Sequence, residues 1–94
     1  MIEPTIGRVV WYHPTPDNPG AKSESLPQAA MVCNVWSDTC VNLVVFDANG
    51  VPYNVTSVLL YQDEGERPDV GFAEWMPYQK QQAEKAEQTE EVTA

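Results

Sequence analysis

Residues 29–60 read AAMVCNVWSDTCVNLVVFDANGVPYNVTSVLL, and the fold turns on how this stretch is paired. Side chains on a strand alternate between faces. Along residues 29–36, Ala29, Met31, Cys33 and Val35 share one face, and Ala30, Val32, Asn34 and Trp36 share the other. Along residues 39–46, Val41, Leu43 and Val45 alternate with Cys40, Asn42, Val44 and Phe46. Both segments place an asparagine on the even face, so the odd face is the expected core. A three-residue loop, Ser37-Asp38-Thr39, then opposes Val35 to Val41, Cys33 to Leu43, Met31 to Val45 and Asn34 to Asn42. A slip of one residue would turn every side chain to the wrong face.

The next turn, Asp47-Ala48-Asn49-Gly50-Val51, fits a type I turn closed by a glycine bulge, with Asp first and Gly in the left-handed position. It opposes Asp47 to Val51, Val45 to Tyr53, Leu43 to Val55 and Asn42 to Thr56. The odd face then stays apolar across three antiparallel strands, while Asn34, Asn42 and Thr56 form a polar row on the other side. Two turns chosen on separate grounds give one consistent core. Cys33 is expected inside and Cys40 outside, opposite Trp36, so neither a disulfide nor a shared metal site is expected.

Working outward, residues 5–13 (TIGRVVWYH) are rich in β-branched and aromatic side chains and read as a first strand. Pro14, Pro16, Pro19 and Pro27 make the following segment a long surface loop. Residues 57–60 either continue the third meander strand or bend out of it. Residues 61–70 (YQDEGERPDV) form an acidic loop, and residues 71–77 (GFAEWMP) a final strand closed by Pro77. Five strands, a long early loop and a short last strand predict an all-β fold, a small SH3-like barrel, with an open antiparallel sheet as the alternative. The barrel domain spans 1–78. Residues 79–94 (QKQQAEKAEQTEEVTA) hold no aromatic residue and one Val, and read as an acidic solvated tail, disordered or weakly helical.

Fourteen acids against five bases give the chain a formal charge of −9. The tail sets Lys80 and Lys85 against Glu84, Glu87, Glu90 and Glu91, leaving the body three bases and ten acids. Nucleic-acid affinity rests on Lys and Arg neutralising phosphates, so direct nucleic-acid binding is not expected, nor is binding to an anionic membrane. A basic protein partner suits this charge. The start, MIEPTIGRVVWYHP, has neither a basic opening nor a long apolar run, which predicts a cytoplasmic location with both cysteines as thiols.

No stretch carries a catalytic or metal-ligand signature. His13 is the one histidine and has no patterned nucleophile. The acids Asp63, Glu64, Glu66 and Asp69 do not follow a calcium-loop register. The expectation is a non-enzymatic protein with no cofactor and no metal. Its aromatics carry more information. Trp11, Tyr12, Trp36, Tyr61, Trp75 and Tyr78 exceed what so small a core can hold, and exposed Trp and Tyr favour recognition. The candidate binding surface comprises Trp36, Trp11, Trp75, Tyr78, Asn34, Asn42 and Thr56, with Trp36 foremost.

The segments Gly7-Arg8-Val9-Val10-Trp11-Tyr12, Val41-Asn42-Leu43 leading to Asp47 and Gly50, Thr56-Ser57-Val58 and Glu74-Trp75-Met76-Pro77-Tyr78-Gln79-Lys80 span nearly the whole body. Together they resemble a family of short uncharacterised proteins encoded by tailed bacteriophages and prophages of Gram-negative bacteria, most specifically in the closing segment. The resemblance implies a phage origin and a host-cytoplasm location, and supplies no residue roles. Three functions compete: a phage accessory module binding a host or phage protein, a small-ligand (nucleotide) binding or sequestering protein, and a virion or assembly component.

Overall fold

A computed structural model of the chain describes residues 1–16 and 26–93, with side chains as far as residue 86. Five strands, β1 (Val9–His13), β2 (Gln28–Ser37), β3 (Cys40–Phe46), β4 (Pro52–Tyr61) and β5 (Phe72–Glu74), precede one helix, α1 (Pro77–Thr93). The strands close into a barrel in chain order, with β5 returning to β1. Every pairing is antiparallel except β4 with β5. The fold is a small SH3-like all-β barrel. Most of the predicted proline loop falls on residues 17–25, outside the described residues.

The meander forms where residues 29–60 place it, and near the hairpin tip its register is the expected one. Val35 lies opposite Val41 and Asn34 opposite Asn42. One residue further the register shifts. Cys33 is an extra residue on β2, and beyond it Val32 faces Leu43, Met31 faces Val44 and Ala30 faces Val45. The predicted pairs Cys33–Leu43 and Met31–Val45 are therefore corrected. Cys33 and Met31 turn out to solvent, while Ala30 and Val32 enter the core. The reason lies in curvature. A five-stranded sheet must coil tightly to close, and a bulge supplies that bend by inserting a residue that exchanges the two faces. The tip is tighter than expected as well. Ser37 pairs with Cys40, leaving Asp38-Thr39 as the turn and Trp36 as a second extra residue, so Cys40 does not face Trp36.

The second turn follows the sequence closely. The Asp47 N–H donates to Val51 O (3.0 Å), the Gly50 N–H donates to Asp47 O (2.9 Å), and the Asp47 carboxylate accepts from the Asn49 and Val51 N–H groups. Gly50 has a φ of 80°, which only glycine adopts without strain. Val45 faces Tyr53 and Leu43 faces Val55, as expected. Asn42, however, lies across from both Thr56 and Ser57, because β4 carries an extra residue there and Ser57 has a φ of 52°. The strand thus both continues and bends, carrying Val58 and Leu60 into the core beside Val10, Tyr12, Val41 and Trp75.

The ends are tied by long-range bonds. The expected first strand is shorter than residues 5–13, because a turn at Ile6-Gly7 sends the Gly7 N–H to Val32 O (2.8 Å). The Gln62 amide bonds Ile2 through both its N–H and its carbonyl, reaches Asp38 O (2.9 Å), and accepts from the indole N–H of buried Trp75 (3.2 Å). The last strand is trimmed to Phe72–Glu74 and the tail is a helix that begins before residue 79. Pro77 opens it and Gln79 reaches back to the Met76 N–H (2.8 Å), a capping arrangement that satisfies an otherwise orphan donor. Gln79 also donates to Val9 O (2.7 Å) and Lys80 pairs with Asp63 (3.0 Å), so the helix root belongs to the body.

The shifted register predicts that a thiol reagent labels Cys33 faster than Cys40 in the native protein, because Cys33 is exposed and Cys40 half-buried. Mass spectrometry of partly labelled protein reads the order; equal or reversed labelling would mean that Cys33 does point inward.

Candidate interaction face

Strands β1 to β4 contain no Asp, Glu, Lys or Arg, although a fifth of the chain is charged. Among the described residues the one charged strand residue is Glu74 of β5, which is buried, so the outer surface of β1–β4 is a field of uncharged side chains. Its rows follow from the register. Val9 of β1 lies beside Met31 of β2, which lies beside Val44 of β3. The adjacent row is Trp11, Ala29 and Phe46. Their inward neighbours Val10, Ala30 and Val45 are buried, which sets these six on the outside.

Beyond Val44 the same outer surface turns polar at Asn34, Asn42 and Thr56, and it ends at Trp36. The indole of Trp36 is 63% exposed yet not free to swing. Its N–H donates to Asn42 Oδ1 (3.0 Å), and the same oxygen accepts the Ser57 N–H (2.8 Å). One asparagine oxygen thereby holds the extra residues of both neighbouring strands. A large ring fixed before contact loses little further entropy on binding.

At the opposite end, past Phe46, lies a groove of about 270 Å³ between Leu26, Pro27, Ala29, Phe46, Asp47 and Ala48. Gln28 beneath it accepts a hydrogen bond from the Tyr53 hydroxyl, and burial, with Tyr12 and Asp47 nearby, pushes that phenol up to about 12. The face is bracketed by acids, Asp38 at the Trp36 end and Asp47 at the groove. Six strand steps separate Cys40 from Phe46, which is roughly 20 Å.

The structure gathers Trp36, Asn34, Asn42, Thr56 and Trp11 on this one outer surface. Trp75 leaves the candidate surface, being 1% exposed in the core with Arg8 stacked over its ring. Tyr78 is exposed on the first turn of α1 and is not part of the strand rows. Met31, Val44, Phe46 and Val9 are members that the sequence reading did not single out. Their signal was present, since residues 41–46 are apolar on both faces except at Asn42.

His13 is built into the barrel's closure. Its Nε2 meets Glu74 Oε2 (2.5 Å), its ring stacks on Phe72 (4.6 Å between centroids), and Arg67 reaches the same carboxylate oxygen (2.6 Å) while lying over Phe72. Glu74 is buried. Burial alone would raise its carboxyl, but hydrogen bonds and charge from Arg67 and His13 outweigh burial and hold it below its ordinary value. The cluster ties the acidic loop to the sheet, and among the described residues the side-chain partners of His13 are Glu74 and Phe72.

No protein family, no curated protein and no solved structure matches the chain. Among the described residues no helix is long and apolar enough to cross a membrane.

Two outcomes follow from this geometry. Replacing Asn42 with Ala should cost about 1 kcal/mol, the worth of a typical hydrogen bond whose partners can turn to water. The Trp36 indole N–H should then exchange faster with solvent by NMR. For Glu74, the lowered carboxyl means that the folded state binds this proton more weakly than the unfolded chain does. Its contribution is full above the unfolded carboxyl's titration and is lost as pH falls through the folded value. Denaturant melts should show Glu74→Gln less stable than wild type at neutral pH, with a flatter decline on acidification.

Proposed function

We propose that this chain is a non-enzymatic interaction module that binds a protein partner through the outer face of β1–β3, with Trp36 as a fixed anchor. One observation carries the reading: an uncharged, largely apolar sheet face in a chain of net charge −9. Exposed apolar side chains beside a Trp held in a defined orientation supply contact area at low entropic cost, and Trp is among the residue types most enriched in binding hot spots. The resemblance to short phage and prophage proteins supports an accessory role in the cytoplasm of a Gram-negative host.

A nucleotide-binding role is weaker on specific grounds. The Asn42 oxygen that would read a base is occupied by Trp36 and Ser57, and Arg8 and Arg67, which would meet phosphate, are engaged with Trp75 and Glu74.

The full chain, immobilised and exposed at low salt to host lysate and to lysate of infected cells, tests the reading alongside Trp36→Ala and Met31→Asp. Met31 is exposed, so Met31→Asp should melt close to wild type, whereas Trp36→Ala also loses the indole bond to Asn42 and should melt lower by about 1 kcal/mol. The expected result is a partner retained by wild type, weakened by Trp36→Ala and lost with Met31→Asp. Identical capture by all three proteins, or none above background, would remove it.

A further inference from the structure

We infer that the partner presents an apolar segment flanked by Lys or Arg, and that one large apolar side chain of it enters the groove beside Asp47. This rests on the module reading above and names what that face accepts.

The groove sets the size of the occupant. Its volume of about 270 Å³ lies at the low end of the ~300–1,000 Å³ of small-molecule sites and has room for a single bulky side chain. Its walls set the chemistry. Leu26 is 64% exposed at its lip and Ala29 and Phe46 form its side, so an apolar group gains contact on several sides. Ala29 and Phe46 also belong to the outer face, so the groove opens directly onto the Met31–Val44 row. A segment seated in the groove would continue along the sheet toward Trp36.

Charge sets the flanks. The strands contribute no charge to the face, whereas Asp47 stands at the groove and Asp38 at the far end. Asp47 uses one carboxylate oxygen to cap its turn, which fixes its side chain at the edge of the groove it helps to line. A cation at either end of an apolar segment meets an acid with no opposing base on the strands. Complementarity of this kind governs encounter rate and selects against wrong partners.

A second copy of the chain fits poorly. Two faces packed head to tail would set Asp38 of each against Asp47 of the other, in molecules that each carry −9. Three strands wide and about 20 Å long, the face offers roughly 300 Å². A stable protein interface buries about 800 Å² on each side. A short segment needs far less.

The experiment is selection of random peptides against the full chain, about ten residues long so that about six span the face and the rest carry the flanks. Fluorescence polarisation of the selected peptides, at low and high salt, follows. Selected peptides should share an apolar centre with Lys or Arg beside it. Ala29→Arg, which fills the groove with a like charge, should weaken them at least tenfold, the effect of losing a hot spot of about 1.4 kcal/mol. Asp47→Asn keeps an oxygen for the turn and removes only the charge, so it should weaken binding and reduce its salt dependence. Peptides lacking basic residues, or undiminished binding to Ala29→Arg, would overturn the assignment. So would a dimer seen by light scattering and dissolved by Ala29→Arg. If a lysate partner still depends on Met31 while the peptides ignore the groove, the module reading stands and this one falls.

Discussion

Closure of the barrel depends on three extra residues gathered around Asn42. Cys33 and Trp36 on β2 and one residue at Thr56-Ser57 on β4 break the even ladder on both sides of β3. Each insertion bends its strand and increases local twist, which five strands need in order to meet. The Asn42 side chain makes the arrangement specific by accepting from Trp36 and Ser57 at once. Hydrophobicity could not enforce this register. Both faces of β2 and β3 are apolar, so a slipped pairing would still bury Val, Leu or Met, and the penalty that usually fixes register is small here.

From that constraint the rest follows. The faces exchange at Cys33, which sends Ala30 and Val32 inside and leaves Met31 outside beside Val9 and Val44. The bend at Ser57 carries Val58 and Leu60 into the core and aims β4 at β5. The closing strand is short, and it is secured by side chains rather than by length. Glu74 joins His13 of β1 to Arg67 of the acidic loop, and Gln62 joins the N-terminus, the hairpin tip and Trp75.

The fold class was legible because the strand signals were strong and Gly50 dictates its turn. The Asp47–Val51 turn and the pairs Val45–Tyr53 and Leu43–Val55 could be read from the amino acids. The bulges could not, because an inserted residue leaves no mark when its neighbours are apolar on both sides. Cys33 shows this plainly. Between Val32 and Asn34 either face would suit it, and only barrel curvature decides. Trp36 was recognised through its position at a hairpin tip. Trp75 was misplaced because a surplus of aromatics for so small a core argued for the surface, whereas Gln62, thirteen residues earlier, supplies the buried partner its indole needs. The groove joins Leu26 and Pro27 to Phe46 and Asp47, a juxtaposition that only the β2–β3 pairing creates.

The order in which the barrel closes bears on its synthesis. The bonds that seal it join Ile2 to Gln62 and His13 to Glu74, about sixty residues apart. Contacts at such separation must overcome nearly the whole loop entropy before they contribute anything. Until β5 leaves the ribosome, the nascent meander has no closing strand, and its inner and outer faces are both apolar. Unpaired edges with exposed apolar surface are what draw chains into aggregates or onto chaperones. Residues 1–62 hold five acids against two bases, and the larger part of the net charge follows in the acidic loop, β5 and α1, so the charge that keeps the finished molecule apart from its copies is incomplete during the interval of greatest exposure.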